Sequence, residues 1–304
     1  MVPKTKKIWM DGKLVPWDEA TVHVLTHSLH YGLAVFEGIR CYKTPKGSAV
    51  FRLREHIQRL VNSARIFTLE IPFSVDQICD AVLDTIRVNK LEECYIRPLA
   101  YIGLGKMGIN PKHNPIKLSI SVWPWGAYLG EEGITNGIRV KTSSFIRAHV
   151  NTNMTMGKVS GYYVNSQLAK MEALSGGYDE AMLLDTEGYV SEGSGENIFI
   201  IRGGKLKTTP LTSILEGITR DSIMTIAHDQ GIATREDRFT RDEVYLSEEA
   251  FFTGTAAEVT PIRELDNRTI GLGSRGPITE KLQSIYFDAV HGKVKKYSGW
   301  LTKI

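Results

Sequence analysis

The stretch WPWGAYLGEEG, residues 123–133, separates two parts of the chain. It contains one proline and three glycines, which interrupt helices and strands alike. Segments with regular apolar periodicity lie on both sides of it. The stretch therefore predicts an interdomain linker at 123–133, between a small N-terminal α/β domain at 1–122 and a large C-terminal domain at 134–304.

On the N-terminal side, helices are mixed with strands. Apolar residues recur at helical spacing over 53–64 and again over 75–86. The segments CYIRPLAYIGL (94–104) and IKLSISVWPW (116–125) are β-rich.

On the C-terminal side, strands are predicted at 137–145, 180–185, 197–201 and 249–254, and helices at 161–174, 218–229 and 278–290. Strands and helices follow each other without a regular βαβ rhythm, and no dinucleotide-binding fingerprint is present. The pattern predicts an α+β (mixed α/β) fold with two domains.

The composition is that of a globular protein of 304 residues, 42% hydrophobic and 23% charged. A net charge of +3 gives no basic surface for nucleic acid, and no apolar run is long enough for a membrane span. The three cysteines are widely spaced, which argues against a disulfide framework or a zinc site. No signal peptide is recognisable at the start. We expect a cytoplasmic protein without a metal.

Lys158 lies in GKVSGYYVNSQ (157–167), among small and apolar residues at the start of a predicted helix. A nucleophilic lysine must be neutral, and burial or a nearby cation lowers the pKa of such an amine. The small residues Gly157, Ser160 and Gly161 would let a flat ligand approach it. The alternative is a solvent-facing lysine, because most lysines are exposed.

Glu192 lies in VSEGSGENIF (190–199), between a predicted strand and a glycine-containing turn. A carboxylate held rigidly at a strand end can pair with a protonated ring nitrogen of a cofactor. The alternative is a polar hairpin turn.

Two further segments could bind an anion. In LEGITRDSI (215–223), Ile218 and Thr219 open a predicted helix, where backbone amides and a hydroxyl attract negative charge. In FFTGTAAEVTPI (251–262), Thr255, Ala256 and Ala257 follow an apolar strand and expose amides in a turn. A plain helix cap and an ordinary turn are the alternatives.

Arg59, in REHIQRL (54–60), lies three residues after His56 and therefore on the same helix face. An arginine there could hold a phosphate with two hydrogen bonds, or it could be a surface residue. Taken together, a reactive lysine, a carboxylate for a ring nitrogen, two anion-binding turns and a phosphate arginine are what a pyridoxal 5'-phosphate enzyme requires.

The chain resembles the branched-chain amino-acid aminotransferases of the fold-type IV group, class IV aminotransferases that use pyridoxal phosphate. The resemblance extends nearly end to end through ordered motifs: IWMDGKLVPW (8–17), HYGLAVFEGIRCY (30–42), REHIQRL (54–60), YIRPLAY (95–101), WPWGAYLG (123–130), GKVSGYYVNS (157–166), SEGSGENIF (191–199), LEGITRD (215–221) and TGTAAEVTPI (253–262). It implies two domains with the cofactor between them, the large C-terminal one binding pyridoxal phosphate, and at least a homodimer with the active site at the subunit interface.

The resemblance also assigns roles to residues. Lys158 matches the lysine that holds the cofactor as a Schiff base and then acts as general acid and base. Glu192 matches the partner of the pyridine nitrogen, and Tyr163 the partner of the cofactor's 3-oxygen. Four residues match the phosphate cup: Arg59, Ile218, Thr219 and Thr255.

The substrates implied are Leu, Ile and Val, with 2-oxoglutarate and glutamate as the partner pair in a ping-pong reaction. The matching pocket walls are Phe36, Tyr95, Ile109, Trp125, Tyr128 and Ala257, with Tyr31 reaching over from the neighbouring subunit. Arg97 matches the group for the second carboxylate of glutamate, with Arg40 adding positive charge nearby. Backbone amides at Thr255, Ala256 and Ala257 would take the α-carboxylate.

Three alternatives stay open at this stage. D-amino-acid aminotransferases and aminodeoxychorismate lyases share the lysine, the glutamate and the phosphate cup. The D-specific enzymes carry Arg-x-His where this chain has Arg97-Pro98-Leu99, which favours the branched-chain enzyme. A non-enzymatic homologue that binds a phosphate ligand is the third alternative, and it would be under no constraint to keep Lys158 and Glu192.

Overall fold

The computed structural model describes residues 2–126 and 128–304, and these separate into two compact units. The first unit comprises Met1–Trp125, Gly157–Tyr162 and Ala289–Ile304, and the second comprises Gly126–Met156 and Tyr163–Asp288. Strands and helices are numbered along the whole chain.

The first unit contains an antiparallel sheet with eight strands among the described residues. Its strands are β1 (Lys7–Met10), β2 (Lys13–Pro16), β3 (Ala34–Phe36), β4 (Ile39–Thr44), β5 (Gly47–Phe51), β6 (Cys94–Ile102), β7 (Ile116–Trp123) and β17 (Leu301–Lys303). Their order is β17-β5-β4-β6-β7-β1-β2, and β3 pairs with β6. Its helices are α1 (His27–Tyr31), α2 (Leu53–Ile66) and α3 (Val75–Asn89).

Helices α2 and α3 bury their apolar faces in the core of this unit. Leu53, Ile57 and Leu60 lie one helical turn apart and are buried with the inward side chains of the sheet. Helix α3 begins with a capping box, in which the Ser74 hydroxyl accepts from the Gln77 amide and the Gln77 side chain accepts from the Ser74 amide.

The second unit contains a mixed sheet with nine strands among the described residues. They are β8 (Ile138–Thr142), β9 (Glu180–Leu184), β10 (Val190–Gly193), β11 (Asn197–Arg202), β12 (Lys205–Thr208), β13 (Thr234–Glu236), β14 (Glu249–Gly254), β15 (Glu258–Leu265) and β16 (Arg268–Thr269). Their order is β10-β9-β8-β15-β14-β11-β12-β13, with β16 on β15; β8 is parallel to β9 and β15, and β12 to β13. The remaining helices are α4 (Glu131–Asn136), α5 (Tyr163–Ser175), α6 (Ile218–Asp229), α7 (Arg241–Tyr245) and α8 (Pro277–Val290).

The mixed pairing confirms the predicted α+β fold class. The predicted helices and strands are also present, with ends shifted by a few residues. The irregular stretch is shorter than expected, because β7 extends through Trp123 and α4 begins at Glu131. The short segment Gly157–Tyr162, which contains Lys158, groups with the first unit, as does the C-terminal stretch from Ala289. The division into domains at 1–122 and 134–304, with a linker at 123–133, stays a prediction.

Candidate active site

The backbone of Lys158 is held on both sides within the first unit. Its amide donates to the Ser63 hydroxyl of α2 at 3.0 Å, and its carbonyl accepts from the amide of Phe36 at the end of β3 at 3.1 Å. An antiparallel bridge between Val35 and Val159 continues this contact. The side chain is partly buried, and its Nζ lies 5.0 Å from the centre of the Phe36 ring.

Arg59 is paired with Glu37, which the sequence analysis did not single out. The fully buried Glu37 carboxylate accepts from Arg59 Nε at 2.6 Å, from Arg59 Nη2 at 2.9 Å and from His56 Nδ1 at 2.8 Å. Burial would raise the pKa of Glu37, but the Arg59 guanidinium and His56 together hold it well below its usual range. A charged residue inside the apolar run AVFEGI was the signal that could have identified Glu37.

Arg97 lies in a box of aromatic rings. Its guanidinium carbon is 4.6 Å from the ring centre of Phe36, 5.3 Å from that of Tyr95 and 5.9 Å from that of Trp123. Arg97 Nη2 donates to the Tyr95 hydroxyl at 3.1 Å, whereas its buried Nε has no hydrogen-bond partner among the described residues. A cation on aromatic faces with one unsatisfied donor is suited to receive a carboxylate.

The first unit brings five of the predicted substrate-site residues together and leaves two outside. Tyr95 contacts Trp125 edge to face at 4.5 Å, and Phe36 contacts both Arg97 and Lys158. Arg40 is buried and donates to the Trp125 carbonyl at 3.4 Å. By contrast, Tyr31 is 46% exposed and Ile109 is 92% exposed. The single chain does not bury these two side chains against the others.

Glu192 lies near the end of β10, which spans Val190–Gly193, so it occupies the strand-end position that the functional interpretation of the sequence requires. The pairing of β10 with β9 shifts register between Val190 and Glu192, and such a bulge redirects the side chain. Arg147 Nε donates to Glu192 Oε1 at 3.0 Å, and Asn197 Nδ2 and the Leu215 amide lie at 3.3 and 3.4 Å from Oε2. The carboxylate is buried and held by three donors.

Arg147 is the second residue that the sequence analysis missed. Its guanidinium also donates to the Ser166 hydroxyl and to the Gly193 carbonyl, both at 3.0 Å. It therefore joins α5, which begins at Tyr163, to the end of β10. No local sequence signal marked Arg147, because its partners are distant in the chain.

The helix whose start was predicted to bind an anion is α6, and its N-cap is Gly217. A Cβ at this position would lie 1.9 Å from Asn197 Oδ1, so the close approach requires glycine. Asn197 also donates to the Leu215 carbonyl at 2.9 Å. Asn197 therefore contacts both the Glu192 carboxylate and the segment that leads into α6, whose first turn contains Ile218 and the buried Thr219.

The other predicted anion site is the turn between β14 and β15. Thr255 and Ala256 are partly buried in it, and Ala257 is buried.

Tyr128, predicted to be a pocket wall, is 39% exposed, and Lys170 Nζ lies 5.3 Å from the centre of its ring. Lys158, Arg59 and Arg97 thus belong to the first unit, and Glu192, Tyr163, Thr219 and Thr255 to the second.

The described residues contain neither a candidate membrane span nor a candidate metal-binding cluster. None of the helices within 2–126 and 128–304 is long and apolar enough to cross a membrane. Across the same residues, no group of three or more His, Cys, Asp or Glu side chains is arranged to hold a metal ion.

Comparisons with known proteins agree on one family. The model of the family described as "Amino-transferase class IV" matches residues 34–265. The chain is 55% identical over 304 residues to the branched-chain-amino-acid aminotransferase of Pseudomonas aeruginosa, covering 100% of this chain and 99% of that protein. It is 45% identical to the enzyme of the same name from Escherichia coli K12, covering 99% and 98%.

Solved structures of such enzymes have the same fold. The crystal structure of the Escherichia coli branched-chain amino acid aminotransferase matches with a TM-score of 0.97 at 45% identity, over 99% of each chain. That of the Thermobaculum terrenum enzyme in its PLP-form matches with a TM-score of 0.93 at 38% identity, over 98% of each chain. The chain therefore belongs to the class IV aminotransferases and, within them, to the branched-chain-amino-acid aminotransferases, which are pyridoxal-phosphate-dependent transaminases.

Proposed function

We propose that this protein transfers the amino group of L-leucine, L-isoleucine or L-valine to 2-oxoglutarate, giving the branched-chain 2-oxo acid and L-glutamate. The observation that carries the proposal is the amine of Lys158, held over the Phe36 ring by a backbone that is hydrogen-bonded on both sides. The same unit supplies a cationic pocket for a carboxylate at Arg97.

The residues fit pyridoxal phosphate. Gly217 opens α6 without a side chain, and the buried Thr219 adds a hydroxyl at a helix start that attracts a phosphate. Arg59 adds a guanidinium, and Glu192 a buried acceptor for a ring N–H. When bound, the cofactor supplies an electrophilic carbonyl carbon and a ring that accepts electron density from the substrate Cα.

Lys158 is the proposed proton carrier. Once its Nζ is a free amine, it removes the proton from the Cα of the amino acid as a general base and later delivers a proton as a general acid. Its hydrogen-bonded backbone keeps the root of the side chain in place, so only the flexible methylene chain has to move. The Phe36 ring excludes water from one side of the amine.

Glu192 is the proposed partner of the ring nitrogen, and Arg147 its support. The Arg147 guanidinium at 3.0 Å offsets the charge of the buried carboxylate and determines its orientation. Tyr163, the first residue of α5, is the proposed donor to the 3-oxygen of the ring.

The substrate pocket follows from the aromatic residues around Arg97. Apolar walls at Phe36, Tyr95 and Trp125 favour a branched aliphatic side chain by about 0.8 kcal/mol for each buried CH₂. The Arg97 Nε, which lacks an acceptor among the described residues, suits the second carboxylate of glutamate. Amides at Thr255, Ala256 and Ala257 are the proposed site of the α-carboxylate.

We further propose a homodimer or larger homo-oligomer in the cytoplasm. The exposed side chain of Tyr31 supports a subunit interface, because its predicted role is to reach the substrate pocket of the neighbouring subunit. Ile109, a predicted pocket wall, is also left exposed by the single chain. Three free cysteines, two of them buried, suit a reducing compartment.

The test begins with the purified protein and added pyridoxal phosphate. We expect absorbance at the border of the visible range, and borohydride reduction followed by peptide mapping should find the cofactor mass on Lys158. Initial rates with 2-oxoglutarate should be highest for L-leucine, lower for L-phenylalanine and lowest for D-alanine. A protein that takes up no label would refute the enzyme assignment, and a preference for D-alanine would identify a D-amino-acid aminotransferase.

A further inference from the structure

One face of helix α2 carries three polar side chains that converge on the Lys158 segment. His56, Arg59 and Ser63 are spaced by three and four residues, which places them on one side of the helix. Ser63 accepts from the Lys158 amide, and His56 and Arg59 both donate to Glu37. Buried polar side chains need hydrogen-bond partners, and on this face of α2 the partners are Glu37 and the Lys158 amide.

Glu37 connects the same face to β3. It directly follows Phe36, whose amide donates to the Lys158 carbonyl. Two adjacent residues therefore set the two positions, because Phe36 bonds to Lys158 and Glu37 bonds to Arg59. Helix α2 makes a second contact with Lys158 through the Ser63 hydroxyl.

The hydrogen bonds of Glu37 determine the plane of the Arg59 guanidinium. Nε donates to Oε1 at 2.6 Å and Nη2 donates to Oε2 at 2.9 Å, a bidentate pairing that fixes the directions of all five N–H bonds. His56, which is also buried, donates to Oε2 through Nδ1. Burial lowers the pKa of His56, so the ring is neutral at neutral pH, and its proton lies on Nδ1 because an ionised carboxylate only accepts.

We propose that Glu37, supported by His56, is a positioning residue that orients Arg59 toward the cofactor phosphate and keeps this arginine in register with Lys158. The inference rests on the proposed function, in which Arg59 binds the phosphate. Glu37 itself touches neither the substrate nor the cofactor, and it acts through the arginine.

Glu37→Gln is the sharpest test, because it keeps the shape and replaces one acceptor by a donor. With the amide nitrogen at the Oε2 position, Arg59 Nη2 faces a donor, and with it at the Oε1 position, Arg59 Nε does. A guanidinium cannot accept a hydrogen bond, so neither placement preserves the pairing. The matched control is Glu55→Gln on the same helix, which loses the more exposed pairing with Arg52 at 2.8 Å.

The measurement is the affinity of the apo-protein for pyridoxal phosphate and for pyridoxal, which lacks the phosphate. Glu37→Gln should weaken pyridoxal phosphate by at least about tenfold and pyridoxal by less than about twofold. Combining it with Arg59→Lys should add little to the loss from Arg59→Lys alone, since both act on one interaction. Glu55→Gln should bind both ligands as the unchanged protein does.

A second pair of variants covers the case in which Glu37→Gln does not fold. His56→Asn keeps a donor near the position of Nδ1 and should retain the affinity for pyridoxal phosphate, whereas His56→Leu removes the donor and should weaken it. Equal losses for pyridoxal phosphate and pyridoxal, or no loss at all, would overturn the positioning role. If the unchanged protein itself bound no pyridoxal phosphate, the proposed function would fail first and this inference with it.

Discussion

Replacement of Arg147 by methionine removes the cation that holds the buried Glu192. The pair has side-chain exposures of 13% and 10%, and the guanidinium makes further bonds of 3.0 Å to Ser166 and Gly193. Methionine fills a similar volume but leaves the carboxylate without its counter-charge. Removing one partner of a buried ion pair costs about 3–5 kcal/mol, which corresponds to a fall in Tm of about 5–20 °C for units of this size.

The assay is thermal unfolding followed by circular dichroism, at equal protein concentration and with the cofactor removed. The matched control is Arg238→Met in the same unit, where the arginine pairs with Asp185 and Glu187 but its side chain is 40% exposed. Exposed pairs contribute at most about 1 kcal/mol, so the control should shift Tm only slightly. Equal melting temperatures for the two variants would refute the reasoning that burial makes the Arg147 pair important.

Three further predictions address other sites. Gly217→Ala should lower stability by about 1–3 kcal/mol in urea unfolding and weaken pyridoxal phosphate binding, because the new Cβ would lie 1.9 Å from Asn197 Oδ1; unchanged values would contradict the close approach. Burial and the neighbouring Glu180 raise the pKa of Glu196 from 4.5 to about 8, so its contribution to stability is complete below pH 4.5 and is lost as the pH rises through about 8. In urea unfolding between pH 5 and pH 9, Glu196→Gln should flatten this decline, and a parallel pH profile for both proteins would count against it. Arg97→Leu should raise KM for 2-oxoglutarate by about 10- to 100-fold and change KM for L-leucine far less, as measured by steady-state kinetics. Equal changes in the two KM values would argue against the carboxylate role of Arg97.

Local patterns predicted most of the secondary structure. The apolar stripes of α2 and α3 and the alternating segments of β6 and β7 depend on residues close together in sequence, so periodicity identifies them. Predictions were less accurate at the ends of elements. The helix predicted at 161–174, for example, is α5 at Tyr163–Ser175.

The candidate site was partly predictable for a different reason. Lys158 and Glu192 occupy motifs whose order along the chain is characteristic of a family, so their roles could be predicted without coordinates. The pairing of Glu37 with Arg59 and that of Arg147 with Glu192 could not be predicted, because the partners are far apart in sequence. Arg59 lies 22 residues from Glu37, and Glu192 lies 45 residues from Arg147.

The amino-acid sequence alone determined the fold class, the family resemblance and the residue types available for the chemistry. Composition, periodicity and motif order are properties of the chain that do not depend on its path through space. Only the tertiary structure decided which charges are buried together, which hydrogen-bond donors meet them and which side chains stay in solvent. Those outcomes depend on distances between segments that are remote in sequence, and packing sets these distances.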